Sequence, residues 1–217
     1  MGHGQFENRA DAGRRLAARL HATPLVRPLV LAIPRGGVEV GFPLARALGA
    51  QLDVVLSRKL GAPWQPELAL GAVSESGEVE LTRDLAALAG AGTEYMQAER
   101  ARQLAEIGRC RELFRGGRAA ADVAGRSVIL TDDGIATGST MIAALTTVRA
   151  RGPREILVAV PVAPRRRLDE VRRRCDRLVC LEEPAEFWSV GQFYRDFDQV
   201  SDERVVQLLS ERVPEQA

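Results

Sequence analysis

The chain has 217 residues, 46% of them apolar, with 30 basic and 29 acidic side chains and a formal net charge of +1. That is enough apolar residue for one sizeable α/β core, and the balanced charge gives no reason to expect a nucleic-acid partner. Cys110, Cys175 and Cys180 cannot all pair and lack metal-ligand spacing with the two histidines, and no apolar run resembles a signal peptide or a membrane span, so a reducing, cytoplasmic setting away from membranes is expected.

Residues 7–20 carry apolar positions at helical spacing and predict an amphipathic helix. Pro28 to Ile33 predicts a short buried strand, broken by Pro34-Arg35-Gly36-Gly37. Val38 to Leu48 returns as a helix stopped by Gly49, and Asp53 to Leu56 is a second strand. Together they make a βαβ unit, which implies a parallel sheet with a right-handed crossover. Residues 67–82 predict one or two short strands turning near Ser76-Gly77. Residues 93–115 predict a long charged helix whose opposite charges at helical neighbours suit a solvated face. Then come a strand at Ser127–Thr131, a helix at Thr140–Arg151, a strand at Glu155–Val160 and a basic helix at Arg165–Arg174. A strand at Leu178–Leu181 and a helix at Asp202–Val213 close the pattern. Alternating β and α elements predict a single α/β domain with a doubly wound, mainly parallel sheet.

The run from Val128 to Met141 is the most informative segment. An apolar strand delivers Asp132 and Asp133, a loop of small and hydroxylated residues follows, and an apolar helix begins. The first N–H groups of a helix and its positive dipole end suit a phosphate. Paired carboxylates just before them suit the hydroxyls of a sugar joined to that phosphate. The loop lacks the Gly-Lys-Ser/Thr of a Walker A sequence and the glycine spacing of a dinucleotide site. Pro34-Arg35-Gly36-Gly37 leaves its strand at the same end of the sheet, where two glycines let backbone approach an anion and Arg35 offers a fork of donors. Lys59 is the only lysine of the chain; with Arg58 it follows the second strand, either as a solvated basic pair or as a ligand contact.

Val128 to Met141 resembles the diphosphosugar-binding signature of the type I phosphoribosyltransferases: apolar run, two acids, then Thr-Gly-x-Thr. The resemblance spans most of residues 28–197 and implies phosphoribosyl diphosphate as ligand. On that match Asp132 and Asp133 would hold the ribose hydroxyls, and Thr137, Gly138, Ser139 and Thr140 the 5-phosphate, with Gly134 and Ala136 in the same loop. Arg35, Gly36 and Gly37 would form the diphosphate loop, often marked by a non-proline cis peptide, placed here between Arg35 and Gly36 or at a direct neighbour. Lys59, with Arg58 as its rival, would reach the diphosphate. Catalysis would fall to Asp132, Asp133, Arg35 and Lys59. Magnesium would be held mainly through the substrate, with no dedicated protein metal site. The implied layout is a core over about 28–182, a helical loop insertion over 67–118 that could serve as a lid, and a small hood from 1–27 and 183–217. A homodimer is implied as the assembly.

The aromatic stretch 183–197 resembles the segment of hypoxanthine-type enzymes in which a Phe stacks on the base. That points to Phe187, with Trp188 as its nearest competitor. Ala136 departs from the purine-type pattern, which has an acid at that place, and a methyl group cannot act as a general base. The expected activity is transfer of the phosphoribosyl group to a nitrogen acceptor, a nucleobase first of all. The alternative is a non-catalytic sensor of phosphoribosyl diphosphate or a nucleotide that regulates a partner.

Overall fold

The computed structural model describes residues 5–65, 68–81 and 89–211. Parts of four expected features lie outside those residues: the start of the hood at 1–4, the ends of the strand region at 67 and 82, the insertion at 82–88 and the last turn of the final helix at 212–213.

The strands β1 (Leu29–Ala32), β2 (Gln51–Val54), β6 (Ser127–Thr131), β7 (Glu155–Val162) and β8 (Arg177–Glu182) form one parallel sheet in the order β2-β1-β6-β7-β8. The three central strands β1, β6 and β7 are buried almost throughout because both faces are covered, whereas the edge strands β2 and β8 carry polar residues and are less buried. On one face Leu29, Leu31, Val128, Leu130, Ile156 and Val158 meet Met141, Leu145 and Val148 of α4 (Ser139–Arg149) and Leu168 and Val171 of α5 (Arg165–Arg172). On the other, Val30, Ile129, Leu157 and Ala159 meet Leu16 and Leu20 of α1 (Arg9–Leu20) and Val40 and Leu44 of α2 (Gly36–Leu48). The alternation of neighbours along each strand between these two sets is the period-two pattern of a sheet. The doubly wound expectation holds.

β2 starts two residues earlier than the sequence predicts, because its register with β1 pairs Leu29 with Gln51 and Ala32 with Val54. Val55 and Leu56 remain buried beyond the strand end. The region expected to be a basic loop after β2 is itself a strand, β3 (Ser57–Gly61), antiparallel to β4 (Ala69–Ser74), which pairs with β5 (Val79–Leu81). Charged side chains at Arg58 and Lys59 mask its period; only Leu60 and Gly61 are buried.

The charged helix forms as α3 (Thr93–Arg115), ending at Gly116 in the left-handed region. It is docked rather than fully solvated. Ile107, Cys110 and Phe114 enter a cluster with Leu56, Leu60 and Val73, and with Val205 and Leu208 of α6 (Asp202–Ser210). Its C-terminal residue is also buried: Arg115 is 4% exposed. The Arg115 guanidinium donates to Asp53 Oδ1 at 3.0 Å, to Glu75 Oε2 at 2.6 Å and to the Val54 carbonyl at 2.8 Å. Asp53 in turn accepts from the Ala121 N–H at 2.8 Å. One arginine thus ties α3, the β4–β5 turn and the sheet edge together. The segment before α1 meets the 183–197 stretch, where Phe6 bridges to Tyr194 and packs beside its ring.

Arg115→Met should lower unfolding free energy by about 3–5 kcal/mol, because it strands Asp53 without its cation. Urea unfolding checks this; a loss below about 1 kcal/mol would show that the network contributes little.

Candidate active site

The chain order places β1 and β6 side by side, although β2 follows β1 and β6 begins the other half of the sheet. This is the topological switch point of an open α/β sheet, and ligands bind beyond the strand ends there. The Pro34–Gly37 loop leaves β1 and the Asp132–Gly138 loop leaves β6, so the structure brings both predicted loops to that crevice. They touch. A Cβ on Gly36 would overlap the carboxylate of Asp133, and one on Gly37 would crowd the Asp132 backbone. The glycines therefore seat one loop against the acid pair, a role beyond the expected approach to an anion. The Pro34–Arg35 peptide is cis, a direct neighbour of the bond expected to be so.

The acid pair has a resident cation. Arg9, 7% exposed, donates from Nε to Asp133 Oδ2 at 2.8 Å and from NH1 to the Asp198 carbonyl at 2.8 Å. Its guanidinium lies 3.8 Å from the Phe197 ring centre. The Tyr194 hydroxyl donates to the Asp133 carbonyl at 2.6 Å. Asp132 has no such cation at hydrogen-bond range; its Oδ1 accepts the Asp133 N–H at 2.8 Å. Burial first, then the neighbouring Asp133 charge, push the Asp132 carboxyl well above the ordinary range. Burial also raises Asp133, and the Arg9 hydrogen bond works against that rise. Arg9 is not among the residues that the sequence singles out. A signal for it exists: it falls on the same helical stripe as Ala12, Gly13, Leu16, Ala17 and Leu20, an arginine on an apolar face.

The helix α4 has no side-chain N-cap, so its first N–H groups are available to a ligand. Gly138, at φ 87, turns the chain into it. Thr137 Oγ1 and Ser139 Oγ lie 3.0 Å apart in the open loop. These features sit beside the acid pair, as a phosphosugar would require.

A sequence profile of the phosphoribosyl transferase domain matches residues 4–198. The chain belongs to the phosphoribosyl transferase domain family. It is 44% identical over 204 residues to a Mycobacterium tuberculosis protein named "Putative phosphoribosyl transferase"; the match covers 94% of this chain and 46% of the relative. This chain thus spans about half the length of the curated relatives it matches. A crystal structure of the Thermus thermophilus protein TT1426 is 45% identical and superposes with a TM-score of 0.87, covering 94% of this chain and 97% of that one.

Within this phosphoribosyl transferase domain the remaining predicted residues divide. Lys59 and Thr140 line one cavity of about 620 Å³ with Pro34, roofed by Tyr95, Glu99 and Arg102 of α3. The insertion therefore covers the crevice side where the basic residues stand. Arg58 lines the same cavity, but its guanidinium donates to Glu106 at 3.3 Å. Arg35 donates to Asp202 Oδ1 at 2.7 Å, so its side chain leans on α6 rather than into the crevice. Phe187 stacks on Phe193 with ring centres 5.6 Å apart, inside the hood cluster, whereas Trp188 is 87% exposed. Phe193 thus holds the partly buried Phe187 ring in place. Val190 lies over Gly134, at the place a Cβ would occupy. Ala136 is exposed in the loop.

Because the folded protein holds a proton on Asp132 more tightly than the unfolded chain does, stability falls as pH rises from about 4 through the raised value. Asp132→Asn should therefore melt higher than the parent at neutral and alkaline pH. The difference should close at about pH 4 and below, where the Asp132 carboxyl becomes neutral in the folded and unfolded parent alike, as the asparagine always is. Calorimetry across pH checks this, and a lower melting temperature for Asp132→Asn at pH 8 would contradict the assignment.

Proposed function

We propose that this domain transfers the 5-phosphoribosyl group from phosphoribosyl diphosphate to a nitrogen acceptor, a nucleobase in the first instance, releasing diphosphate. The observation that carries the reading is the seating of Asp132 and Asp133 between an uncapped helix start and the Arg35-Gly36-Gly37 loop at the switch point. One side of the acid pair suits a sugar phosphate and the other a second anion. A homodimer in a cytoplasmic setting belongs to the same reading.

In the reaction the acceptor nitrogen forms a bond to the anomeric carbon and gives up its N–H proton to water, and the bond from that carbon to the diphosphate oxygen breaks, its electron pair leaving with diphosphate. The transition state resembles the oxocarbenium ion of glycoside cleavage. The chain's part is positioning and electrostatics. Asp132 and Asp133 accept hydrogen bonds from the ribose hydroxyls. The loop at Thr137–Thr140 supplies hydroxyls and N–H groups to the 5-phosphate. Lys59 meets the diphosphate within the cavity it shares with Thr140, and Arg35 exchanges the Asp202 carboxylate for a diphosphate oxygen. With two adjacent carboxylates at the crevice, Asp132 and Asp133, a magnesium ion would be held mainly by the substrate and water. When bound, magnesium would neutralise charge on the diphosphate. No carboxylate or imidazole in 134–140 can take the acceptor's proton, and Ala136 stands where purine-type enzymes place an acid.

That alanine, together with the carboxylates already paired to Arg35 and Arg58, favours a second reading: a sensor that binds phosphoribosyl diphosphate without turnover. Phosphoribosyl diphosphate with magnesium should raise the melting temperature under either reading, by about 2.7 kcal/mol of added stability at a hundredfold excess over Kd. Asp133→Asn or Thr137→Val should shrink the shift. An unchanged melting curve at millimolar ligand would overturn both readings. Diphosphate release on a nucleobase panel separates them: release with one base identifies the acceptor, and binding without release across the panel assigns the sensor.

A further inference from the structure

The helix α5 opens with three consecutive arginines, Arg165, Arg166 and Arg167, and no acid shares its first turn. Cations there oppose the helix dipole, so the arrangement is unfavourable unless an anion arrives. Further along, the arginines have partners: Arg172 pairs with Asp169 at 3.0 Å and Arg174 with Glu170 at 3.8 Å. Arg167 does not. Its Nε is shielded from solvent and has no hydrogen-bond partner, alone among buried side-chain nitrogen and oxygen atoms of the described residues. A guanidinium N–H removed from water without an acceptor is costly, and such a donor calls for an explanation.

A ligand cannot reach that shielded nitrogen, but the Arg167 side chain as a whole forms no hydrogen bond or ion pair among the described residues and stands beside a cavity. Arg167 lines a cavity of about 420 Å³ together with Thr137 and Ser139, the hydroxyls of the loop that begins α4. Glu170 and Arg174 also line it, but they face each other as a pair. The loop itself, Gly134 to Thr140, contains no cation. A phosphate bound to its hydroxyls and N–H groups alone would keep its negative charge uncompensated by any side chain.

We propose that Arg167 is a second anchor of the ligand's 5-phosphate, reaching from the neighbouring helix to the group held by the Thr137–Thr140 loop. The inference rests on the phosphoribosyl reading given above. A guanidinium presents planar paired donors that match phosphate oxygens, which an ammonium does not. Its role would be to discriminate a phosphorylated sugar from a free one, while the diphosphate end is left to other residues.

Isothermal titration tests this with three probes: ribose 5-phosphate, inorganic diphosphate, and phosphoribosyl diphosphate with magnesium. Arg167→Met should weaken ribose 5-phosphate and phosphoribosyl diphosphate by about 10- to 100-fold, the loss of a charge-assisted hydrogen bond. Inorganic diphosphate should bind as before. Arg167→Lys should recover part of the affinity, and Arg166→Met, at an exposed neighbour, should match the parent. The ligand-free melting temperature of Arg167→Met should not fall, since the side chain forms no hydrogen bond or ion pair among the described residues. Undiminished ribose 5-phosphate affinity in Arg167→Met overturns the inference, as does an equal loss for inorganic diphosphate. A parent protein that binds none of the three probes overturns the phosphoribosyl reading itself.

Discussion

Two adjacent carboxylates at the end of a buried strand repel each other and resist removal from water, and a guanidinium from α1 offsets part of both effects. Arg9 binds Asp133, not Asp132, so the pair is asymmetric. One acid is held against a cation; the other is left to burial and to its neighbour's charge. Arg9 is itself buried and depends on the Asp198 carbonyl and the Phe197 ring. The hood is thus joined to the acid pair by ionic, hydrogen-bonded and aromatic contacts, and α1 is as much a wall of the site as a covering for the sheet.

Several arginines around the crevice already hold a carboxylate. Arg35 holds Asp202, Arg58 holds Glu106, and Arg109 lies between Glu106 and Asp202. These pairs are partly exposed, and such pairs contribute little to stability, commonly below about 1 kcal/mol. That weakness suits a binding surface. Replacing a protein carboxylate by a phosphate oxygen keeps the count of charge-assisted hydrogen bonds nearly constant. Arg115 is the opposite case, buried and held by two acids, and it serves the frame rather than the crevice.

The parallel sheet is legible in the sequence because β1, β6 and β7 are uninterrupted apolar runs and the helices between them keep their period. The crevice loops are legible because their chemistry is local: two acids, small residues, a helix start. What stays hidden is long-range. Asp133 and Arg9 are 124 positions apart, and no spacing rule links them. β3 is hidden because Arg58 and Lys59 stand where an alternating strand is expected to declare itself, and its pairing with β4 is what makes it a strand. Phe187 stands out from its local context, whereas the cluster that takes its ring also draws on Phe6, Ala12 and Val162, which lie far from it in the chain.

The bracing of Arg9 by Phe197 and Asp198 sets an order of events during synthesis. In chain order the arginine precedes the acids, and the ring and carbonyl that brace it, Phe197 and Asp198, follow both. Until those two are made, Arg9 has only the carboxylates of Glu39 and Asp133 to hold it. A chain interrupted before the aromatic segment would therefore carry the whole parallel sheet but an unfinished site.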